Sequence, residues 1–218
     1  MRPVGLEYLS VFGMHPARYV ELAAKVGYRA VGLNLGGAAN SIGEAPRFDL
    51  RQDRRLRSEL ADSLRGSAIG LSLLEGFAIL PDADVEQFCD HLDWAGGLGT
   101  RAICAVSLER DRSRSGDQFA RLTELASQRG IRTTTEVGAG ILRNLPRALD
   151  MIRSVDMQDF TLLIDTMHFF RSGGTCADLE TVEPRLIGHV QICDVPMPAV
   201  ISDYMEEALT ERRVPGDG

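Results

Sequence analysis

Three residues near the ends of three successive apolar segments could form a metal site. Glu136 ends the segment IRTTTEV, Asp165 ends FTLLID, and His189 lies in IGHVQICDV. Two carboxylates and an imidazole make a mixed oxygen and nitrogen ligand set that suits Mn²⁺, Zn²⁺, Mg²⁺ or Co²⁺. A single acid at a strand end is more often a helix N-cap, but three such residues on consecutive strands favour a shared site. From spacing alone, a metal site and ordinary capping or core residues are equally open interpretations.

The elements that must position these residues alternate between apolar and amphipathic segments about seven times. The apolar segments predict strands at 5–12, 30–35, 69–77, 101–108, 131–137, 160–165 and 187–195. Helical periodicity lies between them, for example in Pro16 to Val26, which Gly27 ends. A later helix is predicted to open at Ser115, with Gln118 at capping-box spacing. Such alternation is typical of a parallel α/β sheet covered by helices.

Two architectures fit this alternation, a (β/α) barrel and an open doubly wound sheet. An open sheet built for a dinucleotide should carry GxGxxG after its first strand, but the glycines of NLGGAANSIG follow the second strand and lack that spacing. No GxxxxGK[ST] phosphate loop occurs. The sequence therefore predicts one (β/α) TIM-barrel domain over residues 1–218. Glu136, Asp165 and His189 would then meet on the face where the carboxyl ends of the strands open.

Composition narrows the classes of partner. The chain has 218 residues, a net charge of −7 and a pI near 5.2, which argues against a nucleic-acid surface because such surfaces cluster Lys and Arg. No secretory signal is visible, and no apolar run approaches the roughly 20 residues of a membrane span. The four cysteines show no CxxC pair, which indicates reduced thiols. We predict a cytoplasmic protein with a small-molecule partner, no nucleic acid and no membrane; a homo-oligomer stays open.

Several motifs resemble one family, the sugar phosphate isomerase/epimerase superfamily of xylose-isomerase-like TIM barrels. LLIDTMHFFRSGG resembles its Asp-x-x-His strand-loop, and IGHVQICDVP resembles the next strand, with its His and an Asp five residues on. TTEV resembles the strand that supplies the first carboxylate, and ERRVPGDG resembles the Arg-x-x-Pro-Gly-x-Gly loop before the last strand. VFGMHPARYVELAAKVGYRAVGL resembles the opening unit, so the similarity covers essentially the whole chain.

The resemblance implies a role for each matching residue. Glu136, Asp165 and His189 become ligands of a divalent metal (Mn, Zn, Mg or Co). Glu136 would also be the base that moves a proton, and His168 a catalytic group that hydrogen-bonds a substrate hydroxyl beside the metal.

Further positions are candidates for substrate binding. Arg171 and Arg212 are expected to anchor substrate oxygens, and Asp194 is expected near them at the end of its strand. The second strand reads VGLNL, with Asn34 where relatives have an acid. Glu75, in LLEGF, is expected to face the same site instead.

The implied function is a metal-dependent sugar isomerase or epimerase that acts on a sugar or polyol-type hydroxy-carbonyl compound through an enediolate. A dehydratase of a keto-polyol, similar to inosose dehydratase, begins with the same proton abstraction and is the first alternative. A non-catalytic ligand-binding barrel and an abasic-site endonuclease are alternatives of another class. Four histidines and a negative net charge weigh against the endonuclease.

The end of the chain raises a further expectation. Full barrels typically run to about 250 residues, and the seventh predicted strand is the last before Gly218. The resemblance implies one more βα unit that carries a glutamate ligand. We expect a barrel lacking that unit, and either further residues after Gly218 or another chain that covers the gap. Water, substrate or Asp217 would fill the remaining metal positions.

Overall fold

Seven parallel strands form one sheet in the order in which they occur in the chain. A computed structural model describes residues 4–11, 13–36, 48–138 and 140–218. Its strands are β1 (Gly5–Leu6), β2 (Ala30–Asn34), β3 (Gly70–Ile79), β4 (Ala102–Ser107), β5 (Arg132–Glu136), β6 (Phe160–Asp165) and β7 (Ile187–Gln191). Each strand pairs with its sequence neighbour in parallel. The predicted parallel (β/α) order is therefore confirmed.

Helices connect the strands and cover the outer surface of the sheet. They are α1 (Pro16–Val26), α2 (Arg54–Ser67), α3 (Cys89–Gly97), α4 (Arg112–Ser127), α5 (Leu145–Val155), α6 (Thr166–Arg171), α7 (Cys176–Glu180) and α8 (Tyr204–Thr210). Short 3₁₀ turns occupy Tyr8–Val11, Val85–Phe88 and Pro184–Leu186. Among the described residues, no helix has both the length and the apolar composition needed to cross a membrane.

Apolar side chains fill two regions on opposite surfaces of the sheet. The larger one lies between the sheet and the helices, where Phe119 of α4 packs against Phe160 of β6 with ring centroids 4.9 Å apart. A smaller cluster consists of Leu73, Ala102, Cys104 and Leu163 from β3, β4 and β6. Burial on both surfaces explains why these strands read as continuous apolar runs.

Three strand predictions differ from the structure in extent. β1 ends at Leu6, and Tyr8–Val11 of the predicted segment 5–12 form a 3₁₀ turn, while Phe12 lies outside the described residues. β7 ends at Gln191 instead of residue 195. β3 runs on to Ile79, so Glu75 lies inside the strand, where its register with β4 shifts between Leu74 and Phe77.

The predicted start of α4 at Ser115 is wrong by one turn. The N-cap is Asp111, whose side chain accepts a hydrogen bond from the backbone N–H of Arg114 at 2.8 Å. Ser115 is buried within the helix, and its hydroxyl donates to Ser107 Oγ at 2.6 Å. Asp and Ser are both favoured N-cap residues, so the sequence alone does not decide between Asp111 and Ser115. By contrast, α1 ends at Gly27 in the left-handed conformation, as predicted.

The sheet curls into a half-barrel. The side chain of Gln191 in β7 donates to Glu75 Oε1 in β3 at 3.3 Å, and His189 Nε2 lies 3.5 Å from Oε1 of Glu7, which follows β1. These contacts bring the first and last strands towards each other. In the part of the chain that the structure describes, β1 and β7 are nevertheless edge strands and do not pair. The expectation that more residues or another chain cover this gap stays a prediction.

Candidate functional site

The carboxyl ends of the strands form a polar mouth, which we define by Glu7, Glu75, Glu136, Asp165 and Gln191. Each of these residues lies in a strand or directly after one. In parallel βα folds this end of the sheet is where binding and catalytic groups gather. The mouth therefore brings together Glu136, Asp165 and Glu75, which the sequence predicted to be neighbours.

Asp165 is the centre of the hydrogen-bonding at the mouth. It ends the buried strand β6 and caps α6, because its Oδ1 accepts the backbone N–H of His168 at 3.2 Å. Its Oδ2 accepts from Arg212 Nη1 at 2.7 Å. The side chain of Asp165 is 3% exposed and that of Arg212 is 16% exposed. A carboxylate that is this deeply buried is unfavourable without a hydrogen-bonded positive group, and the guanidinium of Arg212 is that group.

Backbone contacts on both sides of Arg212 fix its position. Its Nε donates to the carbonyl of Ala208 in α8 at 2.7 Å. The next residue, Arg213, exchanges backbone hydrogen bonds of 2.9 and 2.8 Å with Asp194 in an antiparallel bridge. Nη1 also lies 2.9 Å from Cys193 Sγ. The guanidinium is therefore pointed at Asp165 by the segments before and after it.

His168 lies between Arg212 and Tyr204. Arg212 Nη2 is 3.2 Å from His168 Nε2, and Tyr204 Oη hydrogen-bonds His168 Nδ1. A guanidinium can only donate, so we assign Nε2 as an acceptor and place the imidazole proton on Nδ1, which donates to Tyr204. Burial lowers the pKa of His168 to about 4, against the charge of Asp165, which raises it. A neutral His168 leaves the Tyr204 hydroxyl proton free to be donated elsewhere.

Glu136 ends β5 beside this group. Burial raises its pKa well above the usual range, the charges of Glu75 and Asp165 raise it further, and Arg212 opposes them. A carboxyl group with a raised pKa is a stronger base in its ionised form than an ordinary carboxylate. The predicted catalytic pair, Glu136 and His168, therefore shares one neighbourhood with Arg212.

Glu75 is the second carboxyl group with a raised pKa. Burial and the charge of Glu7 raise its pKa to about 7, whereas the hydrogen bond from Gln191 lowers it. Glu7 was not predicted as a site residue. The available signal was an acid directly after the first apolar segment, in GLEYL.

The predicted metal ligands do not come together as a set. In the described ranges, no three His, Cys, Asp or Glu side chains form a group that could hold a metal ion. Strand register explains this: Asp165 is opposite Gln191, whereas His189 is opposite Leu163, one layer deeper, and faces Glu7. A side-chain amide therefore lies beside Asp165, and a guanidinium holds its Oδ2. These donors do not fit a resident divalent metal.

Two predicted substrate-binding residues lie outside the mouth. Arg171 pairs with Glu207 of α8 through contacts of 2.9 and 2.6 Å, and the two side chains are 11% and 2% exposed. Asp194 accepts backbone N–H groups of Val195 and Gly216 at 3.0 and 2.8 Å, which keep its pKa below the usual range. Both residues hold the C-terminal segment in place. Arg212, the third anchor proposed from the resemblance, is the one at the mouth.

A curled parallel βα sheet whose polar side chains gather at the carboxyl ends of its strands is the architecture of TIM-barrel proteins. The chain belongs to the xylose isomerase-like TIM barrel family, whose model matches residues 20–218. This confirms the family resemblance seen in the motifs. No curated protein matches the chain in sequence.

Solved structures support the same fold. The IOLI protein with a bound zinc atom superposes with a TM-score of 0.79 at 18% identity, covering 100% of this chain and 80% of that one. The probable 3-DHS dehydratase AsbF from Bacillus anthracis gives 0.70 at 16% identity, covering 94% and 77%. D-psicose 3-epimerase, in the presence of D-fructose, gives 0.69 at 16% identity, covering 92% and 78%. At these identities the likeness shows the fold alone.

Proposed function

We propose that this chain is an isomerase or epimerase that moves a proton next to the carbonyl group of a sugar or polyol-type hydroxy-carbonyl compound. The observation that carries the proposal is Glu136, a carboxyl group of raised pKa at the mouth, beside the Asp165–Arg212 pair. Glu136 would remove the α-proton; its return to the neighbouring carbon gives the isomer, whereas an epimer forms when a second acid protonates the same carbon on the opposite face. An epimerase and a dehydratase among the structural neighbours make this chemistry compatible with the fold.

The negative charge that develops on the substrate oxygen needs a hydrogen-bond donor close to Glu136. Arg212 carries a fixed positive charge, and the Tyr204 hydroxyl has a proton to donate because His168 Nδ1 already donates to its oxygen. Burial and the charges of Glu136 and Asp165 raise the pKa of Tyr204, which keeps the phenol neutral. Donors placed where an enediolate forms lower the barrier to proton removal.

A divalent metal (Mn, Zn, Mg or Co) held by Glu136, Asp165 and His189 is the cofactor that the family resemblance implies. The zinc atom in the IOLI protein structure is consistent with it. When bound, such an ion would polarise the substrate carbonyl. Because the donor set does not fit it, every step proposed here uses side chains of the chain itself.

The test is exchange of the substrate α-proton with solvent. The purified protein is incubated in deuterium oxide with a panel of ketohexoses, aldohexoses and inososes, and deuterium uptake is followed by NMR. We expect uptake with one substrate class, and Glu136→Gln should lower the rate by about 100-fold or more. Glu180→Gln, an exposed change of the same chemistry on α7, is the matched control. Full exchange in the Glu136→Gln protein would contradict the proposal.

A dehydratase is the second candidate, and the His168–Tyr204 pair favours it. After removal of the α-proton, the Tyr204 hydroxyl could protonate a departing hydroxyl group, which isomerisation does not require. Product analysis separates the two reactions. A dehydrated product gains ultraviolet absorbance, whereas an epimer does not.

An abasic-site endonuclease and a non-catalytic binding barrel are the candidates of another class. The mouth carries the carboxyl groups of Glu7, Glu75, Glu136 and Asp165 around one arginine. Such a surface disfavours a phosphate backbone. Cleavage of an abasic duplex at physiological salt would support the endonuclease, and binding of a sugar without exchange or turnover would support the binding barrel.

A further inference from the structure

We infer that the resident positive charge of this site is Arg212 and that the site binds no divalent metal ion. The inference concerns what occupies the site, so it stands or falls separately from the proposed reaction. It is carried by three observations: the contacts of Arg212, the strand register at β7, and the hydrogen bonds that already occupy Asp165.

Arg212 lies where it neutralises the carboxyl groups of the mouth. Its Nη1 contacts Asp165 Oδ2 at 2.7 Å, and its charge opposes the raised pKa of both Glu136 and Glu75. Displacement by a cation would remove a guanidinium that is only 16% exposed from its partners. Breaking a buried ion pair without replacing the lost contacts is strongly unfavourable.

The register at β7 removes the imidazole from the ligand set. Gln191 is the residue directly opposite Asp165, and its amide is used in a hydrogen bond to Glu75. His189 lies two residues earlier in the strand, with its Nε2 3.5 Å from Glu7 Oε1. A neutral amide is a poor ligand for Zn²⁺ or Co²⁺ compared with imidazole.

Both oxygens of Asp165 already accept hydrogen bonds. Oδ1 accepts the N–H of His168 at the start of α6, and Oδ2 accepts from Arg212. A metal ion would compete with a helix cap for one oxygen and with a fixed guanidinium for the other. Arg212 therefore partly neutralises the carboxyl groups of the mouth with its single positive charge, where a divalent metal ion would bring two.

The test measures metal binding directly, without substrate. The full chain is dialysed against Zn²⁺, Co²⁺, Mn²⁺ or Mg²⁺ in turn, and bound metal is quantified by mass spectrometry and by titration calorimetry. We expect far less than one ion per chain, and no change when Asp165 is replaced by Asn. Equal, weak uptake by the wild type and Asp165→Asn is surface binding and supports the inference. One tightly bound ion in the wild type that Asp165→Asn abolishes would overturn it.

A restored metal site gives the complementary readout. In the double variant Gln191→His with Arg212→Met, a histidine replaces the amide and the competing guanidinium is gone. We expect this protein to bind one Co²⁺ with visible absorption bands, whereas Gln191→His alone should not, because Arg212 still holds Asp165. Gln191→His with Arg213→Met is the matched control, since Arg213 is exposed. Visible bands in that control or in Gln191→His alone would contradict the role given to Arg212. Should the double variant fail to fold, the wild-type and Asp165→Asn measurements decide the question.

Discussion

At the scale of single residues, the mouth places more carboxyl groups close together than it has cations. Glu75 and Glu136 both have raised pKa values, and in each case burial is the largest cause. Both carboxyl groups therefore bind a proton more tightly in the fold than in the unfolded chain. Such groups reduce stability as the pH rises, in contrast to carboxylates in salt bridges.

Glu75→Gln should stabilise the protein, and the gain should depend on pH. The pKa of Glu75 is about 7 in the fold against 4.5 for an ordinary Glu, so the wild type loses stability between these values as the pH rises. Well above pH 7 the variant should gain about 3 kcal/mol in the free energy of unfolding, and near pH 4 nothing. Urea unfolding at several pH values measures the difference. A gain that is equal at all pH values would contradict the assigned protonation.

Tyr204→Phe tests the assigned donor without removing its ring. The variant keeps the packing of Tyr204 beside Met167, Val195 and Ala208 but loses the hydroxyl that meets His168. On the proposed reaction, kcat should fall about 10- to 100-fold with KM little changed. Tyr28→Phe is the matched control, because that ring packs against the main core. An equal loss in both variants would point to a general packing effect.

At the scale of elements, the loop after β5 and helix α8 form the site together. Gly138, two residues after Glu136, has φ +136°, and a Cβ there would collide with the Tyr204 hydroxyl next to His168. Helix α8 is held against α6 by the buried Arg171–Glu207 pair. A close approach of the Gly138 backbone to the Tyr204 side chain therefore sets the position of Tyr204 and His168 relative to Glu136.

Gly138→Ala should disturb both the fold and the site. The added methyl group meets the Tyr204 hydroxyl in a conformation that L-residues rarely adopt, so we expect a loss of about 1–3 kcal/mol in the free energy of unfolding. Gly66→Ala is the control: Gly66 lies within α2 with nothing near its added Cβ. That change should stabilise the protein by about 0.5–1 kcal/mol. Chemical denaturation of both variants checks the opposite signs.

The sequence predicts the elements of this protein better than its site. Apolar runs and helical periodicity place the start of each described strand within one residue, because both patterns are local. The partners of the site residues are not local: Asp165 and Arg212 are 47 positions apart, and Glu75 and Gln191 are 116 apart. His189 is the clearest example. Gln191 lies opposite Asp165, whereas His189, two residues earlier in β7, faces Glu7. Only the strand pairing decides between them.

At the scale of the whole molecule, β7 is an edge strand of the described sheet. In the described part of the chain no strand pairs with that edge. Large apolar side chains nearby are also exposed, among them Val190, Ile192, Met197 and Val200. An unpaired strand edge beside apolar side chains favours pairing with another chain.

The 218-residue chain should therefore self-associate as its concentration rises, through the edge of β7. Val190→Lys places a charge on this edge, where Val190 is 48% exposed, and should shift the equilibrium towards monomer. Val26→Lys, at the exposed end of α1, is the control and should leave association unchanged. Sedimentation velocity over a range of concentrations measures the effect. A wild type that stays monomeric throughout would contradict the prediction.

The order of the strands has a consequence for how the protein folds. Each strand pairs with the one immediately before it in the chain, so every new pairing closes only a short loop and costs little chain entropy. A nascent chain can add its βα units one at a time as they leave the ribosome. The contacts of the mouth form later, because Gln191 and Arg212 are synthesised after β1 to β6. A chain interrupted before Arg212 would have most of its sheet but would lack the cation that balances its acidic centre.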